Sequence, residues 1–173
     1  VNLGATHHEI GIGYRYIDES SHELRYREST ASGLLPTVAS RNDRDTRGKT
    51  EAHAVYLDDR IDWGLWTITP GVRYERIDQQ QINVLTGRPF KGDYSTALPA
   101  LNVLYRLDEG WNLYANTEGS FGSVQYSQMP NRVRQGLVKP EKARTWEFGT
   151  RYDQGVLRAE IGAFLINFNN QYD

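Results

Sequence analysis

The chain has 173 residues and a formal net charge of −2, a balance that favours neither a nucleic-acid-binding protein nor an acidic tail. It has no cysteine, which excludes disulfides and thiolate metal sites, and its 11 tyrosines and 16 glycines favour β-structure over a helical bundle. No apolar run approaches the roughly 20 residues of a membrane helix, whereas a membrane β-barrel keeps the hydropathy of a soluble protein because only alternate residues meet lipid.

Alternation of apolar and polar residues with period two predicts seven β-strands. In the first strand, isoleucines and tyrosines alternate with a polar face that carries Gly13 and Arg15. The third strand repeats the pattern, with Gly71 and Arg73 on its polar face. The predicted strands cover residues 8–17, 49–60, 65–77, 98–107, 111–120, 142–152 and 156–168.

Short turns and long polar stretches alternate strictly between these strands. Each short turn is an Asp-X-Gly tripeptide, and short turns on one side with long loops on the other are typical of a transmembrane barrel. Trp63, Trp66 and Trp111 flank the short turns as an interfacial girdle would, and Trp146 is the exception. The turns are residues 62–64, 108–110 and 153–155, and the long stretches are 18–48, 78–96 and 121–139.

Seven strands do not close a bacterial single-chain barrel, which uses an even number of strands. An open sheet edge in lipid would leave unpaired backbone groups, each at a cost of several kcal/mol. The sequence therefore predicts an all-β fold, an antiparallel up-and-down transmembrane β-barrel of which this chain forms only a part. We expect residues 1–173 to be a partial barrel domain that would not fold alone in water.

Six segments together resemble the middle of a TonB-dependent outer-membrane receptor barrel: "EAHAVYLDDRID", "WTITPGVRYERI", "LPALNVLYRL", "WNLYANTEGSFG", "PEKARTWEFGTRYD" and "FLINFNNQYD". The stretches "TEAHAVYLDD" and "ANTEGSFGSVQYSQ" resemble the ferric dicitrate branch of that family. The resemblance covers essentially the whole chain. It implies about seven strands of a barrel with about 22 strands and a plugged lumen.

The same resemblance implies a location and a set of partners. The chain is expected in the bacterial outer membrane, in contact with its lipid. Its ligand would be ferric citrate or a similar anionic iron chelate, and it would work with the TonB–ExbB–ExbD system through segments outside this sequence. Iron would enter only as a bound chelate, so we expect no cofactor and no protein metal site. The charge balance leads us to expect no nucleic-acid partner, and the lack of a nucleophile–base pair leads us to expect no enzyme activity.

Arg15 and Arg73 are the candidate ligand-binding residues. Both lie towards the strand ends that lead into long stretches, and Gly13 and Gly71 are expected to clear space beside each guanidinium. A guanidinium binds carboxylates bidentately, and a ferric citrate complex is anionic and edged with carboxylates. Since lumenal arginines bind the chelate in the resembled receptors, we carry that role to these two residues. The alternative is that both pair with carboxylates of the wall, for which Glu9 and Glu75 are available.

Other charged residues support weaker hypotheses. Arginines of the first long stretch could attract an anion, although neighbouring acids offset their charge. The histidines lack convergent metal spacing, and two aspartates near a short turn are expected to be solvated. No nucleophile–base pair stands out. The arginines are Arg25, Arg27, Arg41, Arg44 and Arg47, and the neighbouring acids are Glu28, Asp43 and Asp45. The histidines are His7, His8, His22 and His53, and the two aspartates are Asp58 and Asp59.

Three classes of function fit these features. The first is a segment of a receptor that imports a ferric chelate, ferric dicitrate above all. The second is a receptor for another siderophore or for haem on the same scaffold. The third is a passive porin or a purely structural barrel, which would lack a plug and would not need a pair of lumenal arginines.

Overall fold

The computed structural model describes residues 1–29, 39–123, 126 and 141–169. These residues form one antiparallel sheet of eight strands, in which each strand pairs with the next one in sequence. The all-β, up-and-down prediction is therefore confirmed. The strands are β1 (Asn2–Leu3), β2 (Thr6–Ser29), β3 (Ala39–Trp63), β4 (Trp66–Asn83), β5 (Arg88–Asp108), β6 (Trp111–Gly122), β7 (Glu141–Gln154) and β8 (Leu157–Asn169).

The seven predicted strands correspond to β2–β8. The two-residue strand β1 was not predicted, because it is too short to show alternation. The three predicted short turns are confirmed. Gly64, Gly110 and Gly155 have φ of 58°, 79° and 63°, in the left-handed region that glycine enters without steric cost. Within the described residues, there is no helix with the length and apolar character to span a bilayer.

The described residues of two of the three long polar stretches are mostly strand, which corrects the sequence prediction. The β2–β3 ladder continues to the pair Ser29 and Ala39, and the β4–β5 ladder continues to the pair Asn83 and Arg88. The alternation is lost there because both faces are polar, while the backbone hydrogen bonds of the ladder do not depend on side-chain type. In the third stretch, residues 124, 125 and 127–139 lie outside the described residues.

The two faces of the sheet show the reverse of the burial pattern of a water-soluble protein. One face, here called the apolar face, exposes its large side chains, such as Ile12 (77 %) and Phe148 (56 %). The opposite face, here called the polar face, buries Glu75 and Gln79 to 7 % and 4 % exposure. Exposed apolar groups are stable where lipid covers them, so this pattern is that of a membrane-spanning wall.

Aromatic side chains border the apolar face at both ends. Near the short turns, Trp66 packs on Tyr105 with ring centroids 4.5 Å apart, and Trp111 packs edge-on against Tyr152 at 6.3 Å. Trp146 lies nine residues from the Gly155 turn, and Tyr74 ten from the Gly64 turn. Nine tilted residues rise by about 25 Å, the height of the apolar band of a barrel. The apparent exception, Trp146, therefore belongs to the second border.

Beyond this border the β6–β7 pair leans over the polar face of β3–β5. Pairing between β5 and β6 begins only at Ala100, directly after Pro99, which has no N–H to donate. Phe121 of β6 packs against the buried cluster formed by Ala52, Ile77 and Tyr94. The end of β6 therefore covers a small core on the polar face, above the level of the membrane.

Candidate anion-binding patch on the polar face

Cross-strand register brings Arg15 and Arg73 to one patch of the polar face. Arg73 lies opposite Tyr56, which lies opposite Gly13. Arg15 lies opposite Ala54, which is the next residue on the same face of β3. Only β3 separates β2 from β4, so the two arginine-bearing strands are about 10 Å apart. We call Arg15, Arg73 and Tyr56 between them the arginine patch.

The two arginines differ in their protein partners. The Nε of Arg73 donates a hydrogen bond to the Glu75 carboxylate, which is almost fully buried. This contact fixes the guanidinium and leaves its terminal nitrogens available. Arg15 is exposed, and in the described part of the chain it forms neither a hydrogen bond nor an ion pair. Of the predicted carboxylate partners, Glu75 pairs with Arg73, and Glu9 pairs with neither arginine.

The free guanidinium of Arg15 contrasts with the other arginines of the polar face at membrane level. Arg60 and Arg106 both approach Asp62, at 3.5 and 3.7 Å, and Arg151 binds Glu160 at 3.1 Å. The positive charge of Arg15 is therefore available for an anion, whereas the charges of these other arginines are balanced by carboxylates.

The glycines beside the arginines serve a different purpose from the one predicted. A Cβ on Gly13 would lie 2.0 Å from Cζ of Tyr56, so the space above Gly13 holds the tyrosine ring and not a guanidinium. A Cβ on Gly71 would meet Cβ of Asp58 at 3.3 Å. Both glycines therefore accommodate side chains of β3, and Gly13 sets the direction in which Tyr56 points.

The next row towards the short turns is acidic. Asp58 lies opposite both Gly11 and Gly71, and Ala100 lies opposite Glu118. A cavity of about 240 Å³ joins the two rows, and its lining includes Tyr56 and Arg73 as well as both carboxylates. An anion held by the arginine patch would therefore have like charges beneath it, which disfavour a deeper position in the wall.

The histidines are dispersed over both faces. His7 lies 2.7 Å from Asn2 on the polar face, and its neighbour His8 lies 2.8 Å from Asp59 on the apolar face. Nε2 of His22 lies 2.9 Å from the Asp45 carboxylate, and Nδ1 of His53 forms a hydrogen bond of 2.7 Å with the Tyr14 hydroxyl. Among the described residues, no three His, Cys, Asp or Glu side chains are placed to hold a metal ion.

One hydrogen-bonded line resembles a catalytic triad in outline only. Nε2 of His8 lies 3.0 Å from Oγ1 of Thr6, and Nδ1 of His8 lies 2.8 Å from Asp59. Oγ1 of Thr6 is also 2.8 Å from the carbonyl oxygen of Leu3, which can only accept. The threonine hydroxyl has one proton, and because it donates that proton to this carbonyl in a hydrogen bond, the proton is not directed at the histidine.

The charged residues of the first predicted loop lie on strands above the membrane border. Arg44 donates to Glu23 at 3.1 Å, so its charge is paired, and Arg25 also has a partner. Lys49 binds Glu51, and this hydrogen bond raises the pKa of the lysine and lowers the pKa of the carboxyl. The side chains of Arg27, Glu28, Arg41 and Asp43 lie outside the described residues.

Sequence reasoning missed Tyr56 and the acidic row. Tyr56 alternates with Ala52 and Ala54, a pattern that marks a face but does not identify which residues lie opposite. Its position between the arginines, and its seat on Gly13, follow from the register of β2, β3 and β4. The signal in the sequence that could have identified Tyr56 is a glycine, Gly13, that can lie opposite a tyrosine in a hairpin.

An exposed apolar belt with aromatic borders, a charged opposite face and up-and-down strands define the wall of a transmembrane β-barrel. The profile of the family "TonB dependent receptor-like, beta-barrel" matches residues 1–173. The chain belongs to this family, whose barrels lie in the outer membrane of Gram-negative bacteria.

Known members of the family resemble the chain to different degrees. The crystal structure of the ferric citrate transporter FecA in the unliganded form is 62 % identical, with a TM-score of 0.90 over 100 % of this chain and 26 % of that one. The siderophore receptor PiuA from Acinetobacter baumannii shares the fold, at 16 % identity and a TM-score of 0.72 over 96 % of this chain and 29 % of its own.

A curated relative, the Ferrioxamine B receptor of Salmonella typhimurium, is 24 % identical over 176 residues, which cover 98 % of this chain and 24 % of the relative. The chain therefore spans about a quarter of the length of these proteins.

Proposed function

We propose that the chain is a wall segment of an outer-membrane TonB-dependent receptor that binds and imports an anionic ferric chelate, ferric dicitrate. The observation that carries this proposal is the exposed, unpaired guanidinium of Arg15 beside the fixed guanidinium of Arg73 on one polar face. The 62 % identity with the ferric citrate transporter FecA supports the choice of chelate.

The chemistry of the patch suits a chelate edged with carboxylates. Each guanidinium offers a planar fork of N–H donors, and charge-assisted pairs of this kind are about twice as strong as neutral hydrogen bonds. Arg73 is oriented by Glu75 before the ligand arrives, so less side-chain entropy is lost on binding. Arg15, which has no protein partner in the described structure, would gain its first ion pair from the ligand.

Transport would need parts of the receptor beyond this chain. In the proposed mechanism the chelate binds from outside, and loop closure and rearrangement of the plug then release it inward. The TonB–ExbB–ExbD system would supply the energy. Iron is the cargo of this process, and no residue of the patch would coordinate it.

Binding of ferric dicitrate to the full receptor chain tests this proposal. Arg15→Ala and Arg73→Ala each remove a hydrogen bond to a charged group, worth about 1.5 to 3 kcal/mol, so each should raise Kd about 10- to 150-fold. Isothermal titration or quenching of tryptophan fluorescence would measure Kd. Unchanged Kd in both variants would remove these residues from the site.

Arg76→Ala is the matched control. Arg76 follows Glu75 on β4 but points to the apolar face, where it pairs with Asp93 at 3.2 Å. Its loss changes the net charge by the same amount without touching the patch, so Kd should stay within about twofold because exposed pairs contribute little. An equal loss in Arg76→Ala would show a general charge effect instead of a contact.

A hydroxamate chelate distinguishes the main alternative. The similarity to the Ferrioxamine B receptor makes ferrioxamine B the appropriate competitor. We expect ferric dicitrate to bind and ferrioxamine B not to displace it. Equal binding of the two chelates would overturn the assignment to citrate and favour a receptor for another siderophore.

A further inference from the structure

In the described part of the polar face, a tyrosine ring twice lies over a glycine on the neighbouring strand. Tyr56 covers Gly13 on β2, and Tyr114 covers Gly149 on β7, where an added Cβ would lie 2.3 Å from its Cζ. A ring laid across a glycine restores packing that the missing side chain would have provided. The glycine in turn fixes where the phenol hydroxyl points.

The two tyrosines differ in what their hydroxyls contact. The Tyr114 hydroxyl lies 3.3 Å from Glu147 and 3.1 Å from Glu160, so it is already satisfied by the wall. The Tyr56 hydroxyl has no hydrogen-bond partner in the described part of the chain, and the residue is 40 % exposed. The same packing of a tyrosine over a glycine therefore places the Tyr114 hydroxyl against two glutamates and leaves the Tyr56 hydroxyl available as a donor.

The free hydroxyl lies in the arginine patch. Tyr56 is directly opposite Arg73 on β4 and one row from Arg15 on β2. Tyr56 and Arg73 also line the same cavity. A phenol hydroxyl donates well to a carboxylate, and a carboxylate bound by one arginine has further lone pairs available for it.

We propose that Tyr56 is a ligand-binding residue of the patch, whose hydroxyl donates a hydrogen bond to a carboxylate oxygen of the chelate. Gly13 is the positioning residue that directs this hydroxyl. This inference rests on the proposed function and adds a neutral donor between the two cations. It also gives the wall a means of distinguishing carboxylate-edged chelates, because a ligand without an acceptor at this point leaves the hydroxyl unused.

The test compares Tyr56→Phe with Tyr114→Phe in the full receptor chain, with ferric dicitrate as the probe. Both changes keep the ring over its glycine and remove one hydroxyl. Tyr56→Phe should raise Kd about tenfold, as expected for a lost hydrogen bond to a charged group, and Tyr114→Phe should leave Kd within about twofold. Equal values for wild type and Tyr56→Phe, or equal losses in both variants, would overturn the inference.

Gly13→Ala provides a second, independent route to the same answer. The new Cβ displaces the Tyr56 ring without removing its hydroxyl, so Kd should again rise about tenfold. If Gly13 acts through Tyr56, adding Gly13→Ala to Tyr56→Phe should cost nothing further, which is a non-additive double-mutant cycle. Additive losses would assign Gly13 a separate packing role and refute its part in aiming the hydroxyl.

The failure of this inference and that of the proposed function are distinguishable. A wild-type receptor that does not bind ferric dicitrate refutes both. A wild-type receptor that binds it and loses affinity in Arg15→Ala, but not in Tyr56→Phe or Gly13→Ala, refutes only the role of Tyr56.

Discussion

At the scale of single residues, the polar face is defined by which charges are paired. Most of its cations at membrane level have a carboxylate within 4 Å, whereas Arg15 has none in the described structure. The charge of Arg73 is already balanced by the buried carboxylate of Glu75. The local excess of positive charge therefore lies at Arg15 and not on the chain as a whole, whose net charge is −2.

Asp58 offers a prediction at this scale. Its carboxylate lies one row below Tyr56 and faces the same cavity, so it repels a bound anion at a distance of about 10 Å. Coulomb energies at that distance are about 0.4 to 1.7 kcal/mol between the dielectric of water and that of a protein surface. Asp58→Asn should therefore lower the Kd for ferric dicitrate about 2- to 20-fold in a titration.

Asp59→Asn is the control for this effect, since Asp59 is the adjacent residue on the opposite face and contacts His8. It should leave Kd near the wild-type value. Weaker binding in Asp58→Asn would mean that the carboxylate supports the site instead of repelling its ligand.

At the scale of elements, the strands continue well beyond the membrane border and carry a small core there. Tyr126 reaches back from beyond β6 to Thr50 of β3, with 2.5 Å between their hydroxyl oxygens. Its ring lies over Gly48, where an added Cβ would be 2.6 Å from Cε1. Thr50 also accepts from Gln79 at 3.3 Å, so the contact joins the β6 end to β3 and β4.

Gly48→Val tests whether this contact anchors the chain that follows β6. The larger side chain cannot share its space with the Tyr126 ring, so the hydrogen bond to Thr50 should be lost. Loss of about 1 kcal/mol of local stability would increase opening about fivefold. We expect a similar increase in the rate of trypsin cleavage after Arg132 and Arg134, measured on the folded receptor.

Gly122→Val, at the end of β6, is the matched control, because a Cβ there meets only Glu141 at ordinary distances of 3.5 Å and more. Its cleavage rate should equal that of the wild type. Equal rates in Gly48→Val and the wild type would show that Tyr126 does not hold this part of the chain.

At the scale of the whole molecule, stability depends on lipid against the apolar face. Leu101 of β5 is exposed on this face and pairs with Pro70 of β4, which lies midway between Trp66 and Tyr74. It therefore lies close to the middle of the bilayer. Leu101→Arg should destabilise the barrel by about 2 to 4 kcal/mol, measured by denaturant unfolding of the receptor in lipid vesicles.

Gln80→Arg places the same charge on the same face of the sheet, but on β4 and six residues beyond Tyr74, outside the apolar belt. A charge near or beyond the interface should cost no more than about 1 kcal/mol. Equal destabilisation by both substitutions would contradict the membrane position assigned to the belt.

The sequence by itself determined the strands within the membrane, their short turns and the division into faces. Period-two alternation is a local property, and lipid on one face with a polar lumen on the other imposes it at every position from Trp66 to Tyr74. The pair Arg15 and Arg73 was visible for the same reason, as charges on the polar face of two similar strands. Their role as ligand residues, and the expectation that residues 1–173 form a partial barrel domain, stay predictions.

Only the tertiary structure decided which side chains meet. The strands above the membrane carry polar residues on both faces, so no apolar–polar alternation marks them, and their extent follows from the hydrogen-bonded ladders. The seat of Tyr56 on Gly13 depends on register, which joins residues about 40 positions apart, whereas Arg73 and Glu75 pair along one face of β4 and were neighbours in the sequence pattern. A strand sequence fixes the face to which a side chain points, while its cross-strand neighbours depend on how the strands are aligned.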